Sequence, residues 1–247
     1  MSSKIPEEST KGSLSFAEIN KYIFGDSKVG KSLLASSMYI DKKRPYFITT
    51  EDNHSHLDVI AQKVTSWSGF IRLLVVLEEN AVELRGKYSC LVVDIISDLA
   101  DMLKADVCKK HGIKDLGDLG FGKGWGIEKT EWKDAIRRLM CIIPVIFIDH
   151  SKSSVMKEEN EEYTKVVPVL PERLYKFISG KTPIIGAILQ DKEGTYLDCT
   201  PSRELAAGTH FDALIGKKFR LKFKNITKVF KELRACIENK TNNKGDK

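Results

Sequence analysis

A chain of 247 residues, 42% of them hydrophobic and with no run of about 18 apolar residues, can bury one α/β core of roughly 200 to 250 residues and excludes a membrane-spanning helix. Five scattered cysteines without a C-x-x-C pair argue against a disulfide frame or a zinc site. Together with an amino terminus that lacks the apolar centre of a secretory signal, they point to reduced thiols in a cytoplasmic protein with no membrane partner. The net charge of +6 is unevenly placed: residues 217–247 carry eleven Lys/Arg against three Asp/Glu, which leaves the rest slightly acidic.

Residues 1–14 are polar, and a disordered tail is expected there. Residues 22–24 read as a short strand running into a glycine loop, 31–39 as a helix and 45–49 ("PYFIT") as a second strand. Helical spacing covers 56–77. The runs "YSCLVVDII" (88–96) and "PVIFIDH" (144–150) are apolar enough for fully buried strands. Between them, "KTEWKDAIRRLMCII" is an amphipathic helix with Trp132, Ile136, Leu139 and Met140 on one side. "PIIGAILQD" and "TYLDCTP" predict an antiparallel hairpin turning at Glu193-Gly194. Strands alternating with helices make this an α/β chain with a mostly parallel sheet. The expected units are a tail at 1–14, the core at 15–222 and a basic helix and tail at 223–247.

Two segments resist a compact reading. Residues 112–126 hold six glycines and Trp125, and residues 151–167 are polar and densely charged. Each follows a buried strand, so both are candidate functional loops. Past the hairpin, residues 226–237 have helical spacing. Val229, Leu233 and Cys236 or Ile237 can dock on the body while Lys228, Lys231 and Arg234 face outward as a basic stripe. Such a stripe suits an anionic partner such as nucleic acid, and it equally suits a solubilising terminus.

The stretch Gly25-Asp26-Ser27-Lys28-Val29-Gly30-Lys31-Ser32 fits G-x-x-x-x-G-K-[ST] at every required position. Its glycines let consecutive N–H groups point at phosphate oxygens. Lys31 would reach the β and γ phosphates, and the Ser32 hydroxyl would bind Mg²⁺ beside the positive end of the next helix. A strand before the loop and a helix after it supply the context this motif needs, so ATP with Mg²⁺ is the expected cofactor. Asp94, closing the strand "CLVVD", is the carboxylate expected to complete the Mg²⁺ shell. The residues after it are Ile95 and Ile96, so a water-activating base has to come from elsewhere. Glu51 in "YFITTEDN" can serve, or it is an exposed loop acid. His150, ending the later strand, is a candidate sensor of the γ-phosphate. The pattern His54-x-His56-x-Asp58 imitates a metal site but lacks further histidine ligands nearby, and capping or surface roles suit it better.

The order GDSKVGKS, TTED, CLVVD, VIFIDHSK resembles the RecA-like core ATPases. The stretches "GFGKGWGIEKTEW" and "PVIFIDHSK" resemble, more closely, the phage-encoded RecA-like nucleotide-binding proteins linked to single-strand annealing and recombination. The resemblance spans residues 22–219. It implies a RecA-like P-loop NTPase core with a central, mostly parallel sheet flanked by helices. It also implies ATP hydrolysis, homo-oligomeric rings or filaments, action on single-stranded DNA and a place in the host cytoplasm. On this resemblance Lys31 and Ser32 hold phosphate and Mg²⁺, Asp94 completes the metal shell, Glu51 positions water and His150 senses the γ-phosphate. The loops at 112–126 and 151–167 would face DNA, offering Lys123 from the first and Lys152, Lys157 and Lys165 from the second. The acids Glu158, Glu159, Glu161 and Glu162 of the second loop oppose that role. Arg203, in "TPSRELAAGTHF", is the one arginine in the segment where such ATPases carry a residue acting on a neighbouring subunit.

Other P-loop classes fit less well. A GTPase needs N-K-x-D after a strand, and Asn243-Lys244-Gly245-Asp246 has the letters but no strand before it. A nucleotide kinase needs an arginine-rich lid, and no arginine lies between Leu139 and Pro171. A nucleotide-dependent binding module that does not hydrolyse, such as a helicase loader, stays open.

Overall fold

The computed structural model describes residues 15–52, 57–158 and 161–242. Strand β1 (Lys21–Gly25) feeds the glycine loop and helix α1 (Lys31–Ser36). Strands β2 (Arg44–Thr49) and β3 (Ile60–Lys63) follow, then helices α2 (Trp67–Glu79) and α3 (Ala81–Lys87). Strand β4 (Tyr88–Asp94) leads into α4 (Ile96–His111), a 3₁₀ turn at Leu116–Leu119 and the long α5 (Lys123–Ile142). Strands β5 (Val145–Glu158) and β6 (Glu161–Pro168), helix α6 (Glu172–Ser179), and strands β7 (Ile184–Asp191) and β8 (Gly194–Asp198) come next. The chain finishes with β9 (Gly208–Thr209), β10 (Lys218–Arg220) and α7 (Thr227–Asn242).

The main sheet runs β10-β8-β7-β1-β5-β4-β2-β3, parallel from β7 to β3 and antiparallel from β7 through β8 to β10. Alternation along the strands splits the core between the two faces. In β4, Leu91 and Val93 join Trp67, Phe70, Trp132, Ile136 and Leu139 on one side. Cys90 and Val92 join Leu34, Phe47, Ile148, Val229 and Leu233 on the other. Helices thus cover both faces, as an α/β chain requires. Among the described residues no helix is long and apolar enough to cross a membrane.

Several elements differ from the sequence reading. The helical spacing over 56–77 belongs in part to β3, an edge strand pairing with β2 and exposed along its length. Helix α2 starts only at Trp67, where the Ser66 side chain accepts the Gly69 N–H at 3.1 Å and caps it. Helix α5 begins at Lys123, inside the glycine-rich stretch. Residues 151–167 are not a loop: β5 continues through Glu158 and pairs with β6 as a projecting antiparallel arm. Both faces of that arm are largely in water, so its side chains do not alternate between apolar and polar. The hairpin of β7 and β8 closes at Lys192-Glu193, one residue before the expected turn. In α7, Val229, Phe230, Leu233 and Ile237 are all buried while Cys236 is only partly so, which seats this helix on the α1 face of the sheet.

Candidate nucleotide site

Strand β1 lies between β5 and β7, and β5 separates it from β4. This order sets His150, at the end of the sheet part of β5, between the glycine loop after β1 and Asp94 at the end of β4. The loop packs tightly from its first residue. A Cβ on Gly25 would come within 2.6 Å of the Ile188 carbonyl oxygen, so only glycine fits against β7 there. Gly30 takes a φ of 95° as the residue before α1. Val29 is buried and pins the loop, while Asp26, Ser27 and Lys28 are exposed.

Lys31 is buried, with its Nζ donating to the carbonyls of Gly25 at 2.9 Å and Asp26 at 2.7 Å. A third contact runs 3.3 Å to His150 Nδ1, which accepts from the ammonium in the tautomer that carries its proton on Nε2. Ser27 Oγ lies 3.5 Å from the same nitrogen. Burial pushes the Lys31 pKa down, and the charges of Asp94, Asp149, Asp26 and Glu51 resist that shift. Glu51 is therefore close enough for its charge to be felt at Lys31. Ser32 Oγ donates to Asp94 Oδ2 at 2.6 Å. A hydroxyl and one buried carboxylate are hard oxygen ligands, the set Mg²⁺ takes when phosphates and water complete its octahedron. The donor set fits the ion. Among the described residues no group of three or more His, Cys, Asp or Glu could hold a metal by itself. Of the H-x-H-x-D pattern, His54 and His56 lie outside the described residues, and Asp58 pairs with Arg44 at 3.1 Å. The Asn243-Lys244-Gly245-Asp246 match is also outside them.

Thr50 ties the Glu51 segment to β4. Its N–H reaches the Asp94 carbonyl at 2.9 Å, and its Oγ1 donates to Asp98 at 2.7 Å while accepting from the Ile95 N–H at 3.1 Å.

Sequence reasoning passed over Asp149. It is fully buried behind His150, where Oδ2 accepts from the Tyr22 hydroxyl and the Leu170 N–H, each at 2.8 Å. Oδ1 accepts from the His150 N–H at 2.9 Å, and the Ser97 hydroxyl adds a further bond. Burial raises the Asp149 pKa against the pull of these donors, and it lifts the Tyr175 hydroxyl to about 12. A lone acid in the apolar run "VIFID" was the available signal.

The basic candidates fall in separate places. The register of the arm pairs Lys152 with Val167 and Ser154 with Lys165, so Lys152 and Lys165 share one face. Lys157 is on the other, 2.7 Å from Glu162. Lys123 is exposed at the start of α5, and Lys228, Lys231 and Arg234 are exposed along α7. Arg203 is held at the arm's tip, 2.8 Å from Glu161, 3.4 Å from Glu158 and over the Tyr163 ring at 4.2 Å.

A family model described as AAA domain matches residues 17–211, taking in the glycine loop, Glu51, Asp94, His150 and the arm. The chain belongs to the AAA-domain family. It is thus a P-loop NTPase-type domain, and nucleotide binding with its usual Mg²⁺ is the activity class that membership carries. No curated protein matches the chain.

Proposed function

We propose that this AAA domain is a Mg²⁺-dependent ATPase of the RecA-like, phage-encoded kind, acting on single-stranded DNA in strand annealing or recombination as a homo-oligomer. The observation that carries hydrolysis is the meeting of Lys31, Ser32, Asp94, His150 and Glu51 at one end of the sheet. In this reading Lys31 gives up its carbonyl partners for β and γ phosphate oxygens, with loop N–H groups around it. Ser32 and Asp94 would hold Mg²⁺, which would supply charge to offset that developing on the phosphates. Glu51 takes a proton from the attacking water, and His150, already beside Lys31, registers the γ-phosphate.

Action on DNA draws support from the exposed cations of α7, from Lys152 and Lys165 on one face of the arm, and from Lys123. The pairing of Lys157 and Arg203 with the arm's glutamates lowers the acidic charge that would repel phosphates. The test is phosphate release from ATP with Mg²⁺, with and without single- or double-stranded oligonucleotides. Stimulation by single strands is expected. Nucleotide binding without turnover under any condition would replace this reading with a non-hydrolysing module.

A further inference from the structure

We propose that Phe121 is a base-stacking contact for single-stranded DNA, held out by the turn between α4 and α5. This rests on the DNA-directed reading above. The side chain is 104% exposed, fully in water. Its φ of 46° sits between those of Gly120 at 65° and Gly122 at 74°. Three successive residues with positive φ are an unusual path for a chain, and the aromatic residue among them carries strain. A ring serving the core would turn inward to lose its water contact.

The turn is braced on both sides. Before it, Asp118 Oδ2 accepts from the N–H groups of Lys114 at 3.0 Å and Asp115 at 2.9 Å, while Asp115 Oδ1 accepts from Gly117 at 3.0 Å. After it, the N–H groups of Lys123 and Gly126 reach the carbonyls of Gly120 and Gly122, each at 3.0 Å. The ring is therefore presented, and both its faces are open.

What surrounds the ring selects the partner. Before and after it in the chain, Lys114 and Lys123 are exposed, while the acids between them are engaged, Asp115 with Lys104 at 2.7 Å and Asp118 with two backbone N–H groups. Four residues on, Trp125 lies under the Arg173 guanidinium at 4.2 Å, with Lys104 at 6.0 Å. Arg173 is three residues beyond Leu170, whose N–H binds Asp149 beside His150, so the turn is linked to the nucleotide end of the sheet. No other large hydrophobic residue of 112–126 is exposed. An anchor for a protein pocket is ringed by further contacts that exclude water, and this ring stands between glycines in a polar stretch instead. Open aromatic faces with cations beside them match a nucleic acid strand, whose bases stack while its phosphates meet the lysines.

The test uses the full chain and a thymidine 30-mer, with affinity measured over a range of salt. Phe121→Ala should weaken binding by about 5- to 150-fold at fixed salt, the scale of one stacked base. The log–log salt slope should stay unchanged, because stacking releases no counterions. Phe121→Tyr should restore affinity, and ATP binding should be the same in all three proteins. Wild-type affinity in Phe121→Ala, with oligonucleotide binding intact, overturns the inference while leaving DNA binding standing. Unchanged DNA binding with altered self-association would assign the ring to a second copy. Absence of any salt-dependent binding by the wild-type chain would remove the DNA-directed reading itself.

Discussion

Glu51 and Lys21 show how single side chains at the two ends of the core strands carry different burdens. Glu51 sits after β2, and its charge acts on Lys31 without taking part in the Ser32–Asp94 bond. Replacing it by Gln keeps the size and removes the carboxylate proposed as base. Turnover should then fall by about 10² to 10⁴ while nucleotide affinity persists, as single-turnover phosphate release and equilibrium nucleotide binding would reveal. Full turnover in the variant would move water activation to another group. Lys21, at the other end of β1, is buried. Its Nζ donates to the carbonyls of Phe16 at 2.8 Å and Ile19 at 2.9 Å and lies 4.2 Å from the Phe16 ring centroid. Burial lowers its pKa from 10.5 to about 7. Above pH 7 the folded protein therefore carries fewer protons at this group than the unfolded chain, so stability gains with pH from about 7 up to the unfolded value. Compared with Lys21→Met, the wild-type thermal midpoint should rise between pH 7 and 9. A constant difference would mean that the two carbonyls hold the ammonium charged throughout.

At the scale of elements, α7 carries both packing and charge, and the two can be separated. Val229, Phe230, Leu233 and Ile237 are buried against the sheet, each contributing about 1.5 to 3 kcal/mol. Their sum, on the order of 6 to 12 kcal/mol, rivals the whole stability of a typical domain, so truncation before Thr227 should unfold the chain. Exchange of Lys228, Lys231 and Arg234 for Gln leaves that face untouched. It removes only exposed pairs, Lys228 with Glu232 at 3.4 Å and Arg234 with Glu238 at 2.7 Å, worth little to stability. If all three meet phosphates, the triple variant should flatten the single-strand salt slope by about two units, at roughly 0.7 per contact. An unaltered slope would make α7 a packing element alone. The elements also show where sequence was legible. The glycine loop, β4 and β7–β8 were readable because burial on both sides, or a tight turn, leaves a strong local pattern. The arm was not, since most of it is in water, only its base near Val166 is packed, and its pairing partner is set by register rather than composition. Asp149 was hidden because its four donors come from β1, β5, α4 and the β6–α6 link. Those donors adjoin only after folding.

For the whole molecule, the matched domain and the sheet order agree on a nucleotide site, and the proposed assembly would complete that site from a neighbouring copy. Arg203 is occupied by Glu158, Glu161 and Tyr163 of its own arm. If a neighbour completes the site, phosphate release should climb more steeply than protein concentration until assembly saturates. Strict proportionality from nanomolar concentration upward, with one size by sedimentation, would establish a self-sufficient monomer.

Strand β5 runs from Val145 to Glu158 without a break, exchanging its partners β1 and β4 for β6 at His150 and Ser151. The arm is therefore a beam rooted in the sheet and propped along β6, where Val166 exchanges backbone hydrogen bonds with Glu204 and Ala206. At about 3.3 Å per residue its eight paired residues reach some 26 Å beyond the root. A sideways load on the tip is shared between the Val166 prop, Arg203 at Glu158 and Glu161, and the root, where His150 touches Lys31.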